Sequence, residues 1–183
     1  MIFDFDYKLL DFLSHGEVEI DLGCGDGSFS VALAKKNPQK TIIAVDILGG
    51  RLKKLEKKAI TLPNILVFKS ESLFFLQIML PDYSADIIHL LCPDPWPKEK
   101  HRYHRILSSE FSGILSRKLK KNGIFHFSSD YEPYIEIAER IFSLNTNFEK
   151  IGIPETISGL KTDFEIQWLS QGKNVKHLCW KTK

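Results

Sequence analysis

Four acidic residues follow apolar runs of this chain, at positions where a sheet protein could bind a cation. Asp21 stands just ahead of the glycine-rich stretch 23–27, and Asp46 ends the second apolar run. Glu71 and Asp94 follow the third and fourth runs. A carboxylate attracts ammonium and sulfonium groups and accepts hydrogen bonds from hydroxyl and amino groups. The acids therefore predict a ligand that combines a positive charge with a nucleoside.

The glycine-rich stretch reads Asp21-Leu-Gly23-Cys-Gly25-Asp-Gly27, the pattern acid-x-GxGxG. A dinucleotide-binding loop has GxGxxG, and Ser28 stands here in place of the third glycine of that spacing. Asp21 would also repel a pyrophosphate. S-adenosylmethionine carries an ammonium group, a ribose diol, an adenine amino group and a sulfonium, all of which accept acidic neighbours. The loop and the acids together favour a methyltransferase over an NAD-linked oxidoreductase.

A proline-rich segment, CPDPWPKEKH at 92–101, follows the fourth apolar run. Cys92, Asp94 and Trp96 each precede a proline, a position that disfavours helical backbone. We therefore expect an extended, stiff segment that fixes the directions of the Asp94 carboxylate and the Trp96 indole. The basic side chains that follow are Lys98, Lys100, His101, Arg102 and Arg105. Cations beside an aromatic ring suit phosphates and a stacked base, so this stretch predicts RNA contact.

Apolar and amphipathic segments alternate along the chain and predict the elements that position these residues. Strands are predicted at 18–23, 41–47, 64–70, 85–92, 124–130, 148–154 and 174–183. Helices are predicted at 28–37, 51–60, 72–80, 111–120 and 132–144, with Asn122-Gly123 as the stop of the fourth. The alternation predicts an α/β fold with a mainly parallel sheet and helices on both faces. Ligands of such sheets bind beyond the carboxyl ends of the strands, where the four acids lie.

The bulk composition fits one domain, 1–183, with a short helix at about 4–14. The chain has 183 residues, 43% of them apolar and 26% charged, and a net charge of +2. It has no apolar run near the ~20 residues of a membrane helix and no basic, signal-like start, so we expect a cytoplasmic protein. The three cysteines, Cys24, Cys92 and Cys179, form no CxxC motif, so packing is favoured over a disulfide or a metal site.

The segment PDPWPKEKHRYHRI at 93–106 resembles the signature of the tRNA (guanine-N7-)-methyltransferases. Two further stretches are similar to motifs of that family. Residues 129–132, Ser-Asp-Tyr-Glu, resemble its Thr-Asp-aromatic-Glu element, and residues 162–165, Thr-Asp-Phe-Glu, resemble its Thr-x-aromatic-Glu element. The resemblance runs from the glycine loop to the C-terminus.

The resemblance implies a Rossmann-like class I S-adenosylmethionine-dependent methyltransferase with a seven-stranded sheet, acting on N7 of a guanosine in the tRNA variable loop. The implied cofactor contacts are Asp21, Asp46, Glu71 and Asp94, to which the glycine loop adds Gly23 and Gly25. Asp94 is also the implied catalytic residue. The implied substrate contacts are Lys98, Asp130, Thr162, Asp163, Phe164 and Glu165. Further candidate RNA contacts are Trp96, Lys100, His101, Arg102 and Arg105.

The chain departs from the family pattern at several positions. Asp21 and Asp46 stand where the family usually has glutamate, and Glu71 where it usually has aspartate. Tyr103 and His104 dilute the basic run after the prolines. Alternatives to the methyltransferase are a non-enzymatic RNA-binding module, an S-adenosylmethionine enzyme with another substrate and the NAD-linked oxidoreductase. The chain could be a monomer or a homodimer.

Guanine N7 carries a lone pair at neutral pH, so its methylation needs positioning and charge stabilisation rather than a base. We therefore expect Asp94 to orient the base and stabilise the positive charge that develops on it. Glu165 or Asp130 could accept the N1–H and N2–H₂ donors of the guanine edge. Thr162 and Glu165 also match a capping box, so helix capping alone is a second interpretation of that motif.

Overall fold

The computed structural model describes residues 16–183, and one seven-stranded sheet runs through its centre. The strands are β1 (Val18–Leu22), β2 (Thr41–Asp46), β3 (Ile65–Lys69), β4 (Ala85–Leu91), β5 (Leu119–Ser129), β6 (Phe148–Ile151) and β7 (Lys176–Thr182). Their order across the sheet is β3-β2-β1-β4-β5-β7-β6. Strands β1 to β5 pair in parallel, and β7 is antiparallel to β5 and β6. The predicted mainly parallel seven-stranded sheet is confirmed, whereas the helix predicted at about 4–14 lies outside the described residues.

Helices cover both faces of this sheet, as predicted. They are α1 (Ser28–Lys36), α2 (Gly49–Lys58), α3 (Ser72–Phe74, continued by a π-helical turn Phe75–Met79), α4 (Ser109–Lys118), α5 (Glu132–Leu144) and α6 (Asp163–Ser170). A 3₁₀ segment, Glu99–His104, follows the prolines. Alternate residues of each strand point to opposite faces. One face packs on α3, α4 and α5, and the other on α1 and α2.

The predicted helix stop at Asn122-Gly123 is wrong, because both residues lie inside β5. Helix α4 ends at Lys118 and β5 begins at once, with a bulge where the pairing to β4 shifts between Ala85 and Ile87. Asn122 has a φ of 63°, and a Cβ on Gly123 would lie 2.8 Å from a backbone oxygen. Asn-Gly therefore serves the bulge, which requires positive φ and a close backbone approach just as a helix stop does.

Candidate active site

A cavity of about 400 Å³ opens beyond the carboxyl ends of β1 and β4. Asp21 and the glycine loop line one side, and Thr162, Asp163 and Phe164 from the start of α6 line another. Leu91, the last residue of β4, also lines the cavity. The structure thus brings the glycine loop together with the 162–164 motif, although almost 140 residues separate them in the chain.

Asp21 is a buried acid at the end of β1, with only 3% of its surface exposed. Its carboxylate accepts a hydrogen bond from Ser30 Oγ at 2.5 Å. Burial raises the pKa of Asp21 above its usual range, and the nearby Asp46 adds to the rise, while Ser30 and His89 act in the opposite direction. A carboxylate in this state gains stability from a cation placed in the cavity.

The glycine loop is held by the backbone of β2 and by Asp46. Gly23 donates to the carbonyl oxygen of Val45 at 2.8 Å. The Asp46 carboxylate accepts from Gly25 N at 2.9 Å and from Leu48 N at 2.7 Å. Gly27 has a φ of 77°, and a Cβ there would lie 2.2 Å from Leu55. Asp46, a predicted cofactor contact, therefore also fixes the loop, and its carboxylate accepts hydrogen bonds from two backbone N–H groups.

A polar latch joins the start of α6 to the glycine loop. Ser28 Oγ donates to Asp163 Oδ2 at 2.7 Å. Lys58 Nζ lies 2.8 Å from Asp26 Oδ2 and 2.7 Å from Ser28 Oγ, with Asp163 Oδ2 at 3.9 Å. The hydrogen bond from Lys58 holds the pKa of Asp26 below its usual range. These four side chains form the latch that keeps the 162–164 segment against the cavity.

Phe164 and Arg51 meet at the mouth of the cavity. The Arg51 guanidinium lies 5.9 Å from the centre of the Phe164 ring. It also lies 4.0 Å from the point where a Cβ on Gly25 would be. Phe164 is 47% exposed, so its ring covers the cavity without being buried itself.

The Glu71 side chain caps a helix, a role that an acidic residue after a strand can also have. Its carboxylate accepts from Phe74 N at 2.8 Å, at the start of α3. The side chain is exposed and does not line the cavity. The geometry therefore shows the cap, and a cofactor contact at Glu71 stays a prediction.

The proline-rich segment is not extended throughout, so that part of the prediction is wrong. Cys92 has a φ of 50° and Trp96 a φ of 42°, both in the left-handed region. The Cys92 N–H donates to Ser128 O at 2.9 Å, which continues the pairing of β4 with β5. Tertiary hydrogen bonds thus outweigh the local preference of a residue before proline, and left-handed residues of this kind collect at functional sites.

Arg105 anchors the proline-rich segment from behind. Its Nε lies 3.0 Å from Pro95 O and 3.2 Å from Trp96 O, and its Nη2 lies 2.9 Å from Trp96 O. Arg105 is half-buried and its donors are turned to the loop. The sequence predicted an RNA contact here, and that contact stays a prediction beside the anchoring role.

Asp94 presents an exposed carboxylate. Within residues 16–183 it has no hydrogen-bond or ion-pair partner. The side chain of buried Tyr134 interacts electrostatically with Asp94. The Tyr134 hydroxyl approaches the backbone of Ile106 and Leu107 without a well-formed hydrogen bond to residues 16–183. Burial raises the pKa of Tyr134 to about 12. The carboxylate of Asp94 is thus accessible to a ligand, and only the backbone of the loop determines its position.

The Trp96 ring is surrounded by imidazoles. It lies 4.6 Å from the His104 ring and 5.8 Å from the His101 ring, measured between centroids. Tyr103 lies 4.0 Å from His104 on the far side. Lys98, Lys100 and Arg102 are exposed beside this cluster. The predicted RNA contacts other than Arg105 thus share one surface.

The two candidate acids for the guanine edge differ in accessibility. The Asp130 side chain is 21% exposed and lies 3.6 Å from Lys173 Nζ. The Glu165 side chain is 6% exposed and lies 3.3 Å from His177 Nε2 and 3.5 Å from Lys161 Nζ. Thr162 Oγ1 accepts from Glu165 N at 3.1 Å, so the capping by Thr162 is confirmed.

Sequence reasoning missed several side chains of this site. The missed side chains are Ser28, Lys58 and His177. Ser28 had a signal, since it occupies the first turn of a helix and can face a ligand site there. Nothing in the spacing indicated that Lys58 would reach Ser28 and Asp163, or that His177 on the last strand would contact Glu165.

Within residues 16–183, no helix is long and apolar enough to span a bilayer. The same part of the chain contains no group of three or more His, Cys, Asp or Glu arranged to hold a metal ion. Cys24, Cys92 and Cys179 are free thiols.

Comparisons with known sequences identify related enzymes. The family model described as "Putative methyltransferase" matches residues 15–178. The tRNA (guanine-N(7)-)-methyltransferase of Cronobacter sakazakii is 30% identical over 172 residues, covering 89% of this chain and 70% of the relative. The enzyme of the same name from Aliivibrio fischeri is 29% identical over 193 residues, covering 98% and 79%.

Comparison with solved structures shows the same fold. The 16S rRNA methyltransferase KamB superposes with a TM-score of 0.73 over 97% of this chain and 94% of that one, at 19% identity. TrmN from Thermus thermophilus superposes with a TM-score of 0.65 over 96% of this chain and 47% of that one, at 14% identity. These likenesses confirm the Rossmann-like α/β fold.

Proposed function

Because this chain belongs to the tRNA (guanine-N7-)-methyltransferase family, we propose that it transfers a methyl group from S-adenosylmethionine to N7 of a guanosine in tRNA. One observation supports this most directly: the glycine loop and the 162–164 motif line a single cavity. The loop is the cofactor element and the motif is the substrate element of the resemblance. The signature at 93–106 extends the proposal to the variable loop.

The cavity suits S-adenosylmethionine in charge. Asp21 lines it as a buried acid with Ser30 as its hydrogen-bond donor, so lone pairs remain for an ammonium group. Gly23 and Gly25 allow the backbone to approach the ligand, and Asp46 and Glu71 would lie at its ribose and adenine ends. When bound, this cofactor supplies an electrophilic methyl group on a cationic sulfur.

Asp94 is the residue to which we assign catalysis. Guanine N7 holds a lone pair, so the chain has no proton to remove from it. The positive charge that methylation places on the guanine ring needs a fixed negative charge nearby. Asp94 carries an exposed carboxylate on a loop whose carbonyl oxygens Arg105 holds in place. Its role is to orient the base and stabilise that charge.

Asp130 is the residue that we propose accepts hydrogen bonds from the Watson–Crick edge of guanine. Guanine offers N1–H and N2–H₂ side by side, and one carboxylate can accept both. Asp130 is the more accessible of the two candidate acids, and its partner Lys173 is at the loose distance of 3.6 Å. Glu165 is buried behind Thr162 and Phe164, which themselves face the cavity. Glu165 is therefore better suited to hold the first turn of α6.

The surface around Trp96 is where we propose that the tRNA backbone binds. Exposed Lys98, Lys100 and Arg102 can neutralise phosphates, and a splayed base can stack on the rings of Trp96 and His101. Each exposed cation on this surface adds to a salt-dependent affinity. An enzyme with this substrate would act in the cytoplasm, as a monomer or homodimer.

The test is methyl transfer to tRNA that lacks modifications. The chain is incubated with methyl-labelled S-adenosylmethionine and transcribed tRNA, and the product is tested for chain cleavage at N7-methylguanosine. A matched control is the same tRNA made with 7-deazaguanosine, which has no N7 lone pair and should take up no label. Mapping the cleavage site tests the variable loop. Absence of label from ordinary tRNA at every salt concentration would reject the proposed function.

A further inference from the structure

Three histidines form a hydrogen-bonded chain that starts at buried Glu19, and the last of them contacts buried Glu165 as an ion pair. His89 Nε2 lies 3.1 Å from Glu19 Oε2, and His89 Nδ1 lies 3.0 Å from His126 Nδ1. His126 Nε2 lies 2.9 Å from His177 Nδ1. His177 Nε2 lies 3.3 Å from Glu165 Oε1. We call these five side chains the imidazole relay.

The relay crosses the sheet on the face that α1 covers. Glu19 lies on β1, His89 on β4, His126 on β5 and His177 on β7, so four strands contribute side chains to one face. The Phe29 ring of α1 meets the His89 ring edge-on at 5.0 Å. Glu19, His89 and His126 are at most 1% exposed. Water cannot replace the hydrogen bonds that these three side chains make, so each of those bonds needs a hydrogen from the relay itself.

The three hydrogen bonds of the relay use the three hydrogens of three neutral imidazoles, and with Glu19 ionised they leave His177 Nε2 without a hydrogen beside the Glu165 carboxylate. One extra proton on the imidazoles places a hydrogen on His177 Nε2 and completes the ion pair with Glu165. If that proton is on His89, the neutral His126 carries its hydrogen on Nε2. If it is on His177, the neutral His126 carries its hydrogen on Nδ1. In both arrangements His89 and His177 keep hydrogens on Nε2, the first bonded to Glu19 and the second beside Glu165.

The directions of the pKa shifts of Glu19 and His126 agree with one extra proton on the relay. Burial raises the pKa of Glu19, but the hydrogen bonds and charges of His89 and Lys40 outweigh it, so the net pKa lies below its usual range. Burial, with the charges of His89 and His177 added, holds the pKa of His126 well below 6.5. Glu19 is thus ionised and His126 neutral. The extra proton belongs to His89 or His177.

Other charged groups face the relay at its two ends. Lys40 Nζ contacts Glu19 at 2.7 Å and the more exposed Glu17 at 2.8 Å. Asp21 and His89 act on each other electrostatically. At the other end Lys161 contacts Glu165 at 3.5 Å. The Cys92 thiol also lies near Glu165 and Asp130, and burial raises its pKa, so it stays neutral.

We propose that the imidazole relay holds one extra proton and thereby positions the first turn of α6 over the cavity. Glu165 is the link: its backbone N–H donates to Thr162, and Thr162 to Phe164 line the cavity. His177 acts through Glu165, so it is a positioning residue for methyl transfer. The inference rests on the proposed function only in taking this cavity as the cofactor site.

Nitrogen-15 NMR of histidine-labelled protein tests the relay without any activity assay. We expect His126 to stay neutral, while His89 and His177 release one proton between them as the pH rises. Both should keep a hydrogen on Nε2, and the tautomer of His126 tells which of them carries the extra proton. Three imidazoles that titrate independently, each taking up its own proton, would overturn the proposal.

Kinetics of three variants test the positioning role. His177→Gln keeps an amide donor for Glu165 but cannot carry a proton, His177→Ala removes the donor, and Lys181→Gln changes β7 outside the relay. We expect the KM for S-adenosylmethionine to rise about three- to fivefold in His177→Ala, the size of one partly exposed ion pair, with little change in kcat. In the parent and in Lys181→Gln this KM should rise as the relay loses its proton. In His177→Gln this rise should be absent, whereas any pH dependence that comes from Asp21 remains.

The outcomes separate this inference from the proposed function. An identical pH profile in His177→Gln and the parent overturns the relay as a positioning device, even if both methylate tRNA. If the parent methylates no tRNA, the proposed function fails. In that case calorimetric binding of S-adenosylmethionine to the same variants takes the place of KM and decides the inference by the same criterion.

Discussion

The guanidinium of Arg105 donates to the carbonyl oxygen of Trp96, at 2.9 Å from Nη2 and 3.2 Å from Nε. Trp96 adopts a φ of 42°, which turns the backbone away from the extended form that the following proline favours. A left-handed, non-glycine residue costs roughly 1–3 kcal/mol and persists only when its surroundings hold it. The hydrogen bonds from Arg105 keep Trp96 in this conformation, and Trp96 lies two residues after Asp94 in the chain.

Replacing Arg105 with lysine should therefore impair the loop while retaining the charge. A lysine ammonium cannot reach both Pro95 O and Trp96 O with the geometry of the guanidinium. We expect kcat to fall about tenfold, with the salt dependence of tRNA binding unchanged. Arg117→Lys, on the exposed end of α4, is the matched control. A lower salt dependence with normal kcat would instead identify Arg105 as a phosphate contact.

Asp94→Asn should separate chemistry from binding. The amide keeps the shape of the side chain but lacks the charge that stabilises the methylated guanine ring. We expect kcat to fall on the order of 100-fold, while tRNA affinity changes by no more than a few-fold. Single-turnover methylation and filter binding measure the two quantities. Glu149→Gln, on the surface of β6, controls for the loss of one negative charge, and near-normal turnover of Asp94→Asn would reject its role.

The polar latch should contribute to cofactor affinity. Ser28→Ala removes the 2.7 Å hydrogen bond to Asp163 and leaves two acids, Asp26 and Asp163, facing Lys58 alone. We expect the Kd for S-adenosylmethionine to rise about three- to tenfold, because one charge-assisted hydrogen bond is lost near the surface. Isothermal titration calorimetry measures it. Ser143→Ala, on α5, provides the control, and equal affinities of the two variants would show that the latch is dispensable.

Stability should fall as the pH drops below 6.5. In the folded chain the pKa of His126 is held well below 6.5. As the pH drops below 6.5, His126 of the unfolded chain therefore binds a proton that His126 of the folded chain does not bind. The contribution is complete above pH 6.5 and is lost progressively until the pH passes the folded pKa. The slope for one proton is at most about 1.4 kcal/mol per pH unit. Urea unfolding at several pH values measures it.

His126→Asn should flatten that slope, since asparagine keeps polar atoms at the site but does not titrate. Exposed His104→Asn is the control and should leave the slope unchanged. The free energy of unfolding at neutral pH will be lower for His126→Asn because two buried hydrogen bonds are altered. Only the pH dependence therefore bears on the prediction, and an unchanged slope in His126→Asn counts against it.

Binding of tRNA should depend strongly on salt. Lys98, Lys100 and Arg102 stand on one surface, and each phosphate they neutralise releases counterions. We expect the logarithm of the affinity to fall linearly with the logarithm of salt concentration, and the slope to decrease by about one for Lys100→Ala. Affinity that is flat between low and moderate salt would contradict an RNA interface here.

The sheet and the cavity could be predicted from the sequence because they follow from local patterns. Apolar runs separated by amphipathic segments specify the strands and helices, and the rule for parallel sheets then puts Asp21 and Asp46 at one edge. Helix α5 was predicted with its observed ends, since Glu132 and Pro133 mark its first turn. Each of these inferences uses contacts between residues that are close in the chain.

The features that could not be predicted depend on contacts between distant residues. The left-handed backbone at Cys92 and Trp96 reflects hydrogen bonds to Ser128 and Arg105, which the proline rule does not include. No functional role was predicted for His89 or His126 from the sequence. Their hydrogen bond depends on the register of β4 against β5, which places these two histidines side by side. A sequence does not display such a register.

Strand β7 follows β6 in the chain but lies between β6 and β5 in the sheet. Strand β6 therefore has no hydrogen-bonded neighbour until β7 has been synthesised and inserted. During translation, the glycine loop and Asp94 leave the ribosome before β7, which carries His177. A nascent chain that has not yet inserted β7 thus lacks the side chain that contacts Glu165. The first turn of α6 therefore gains its contact with the sheet only after β7 has been inserted between β5 and β6.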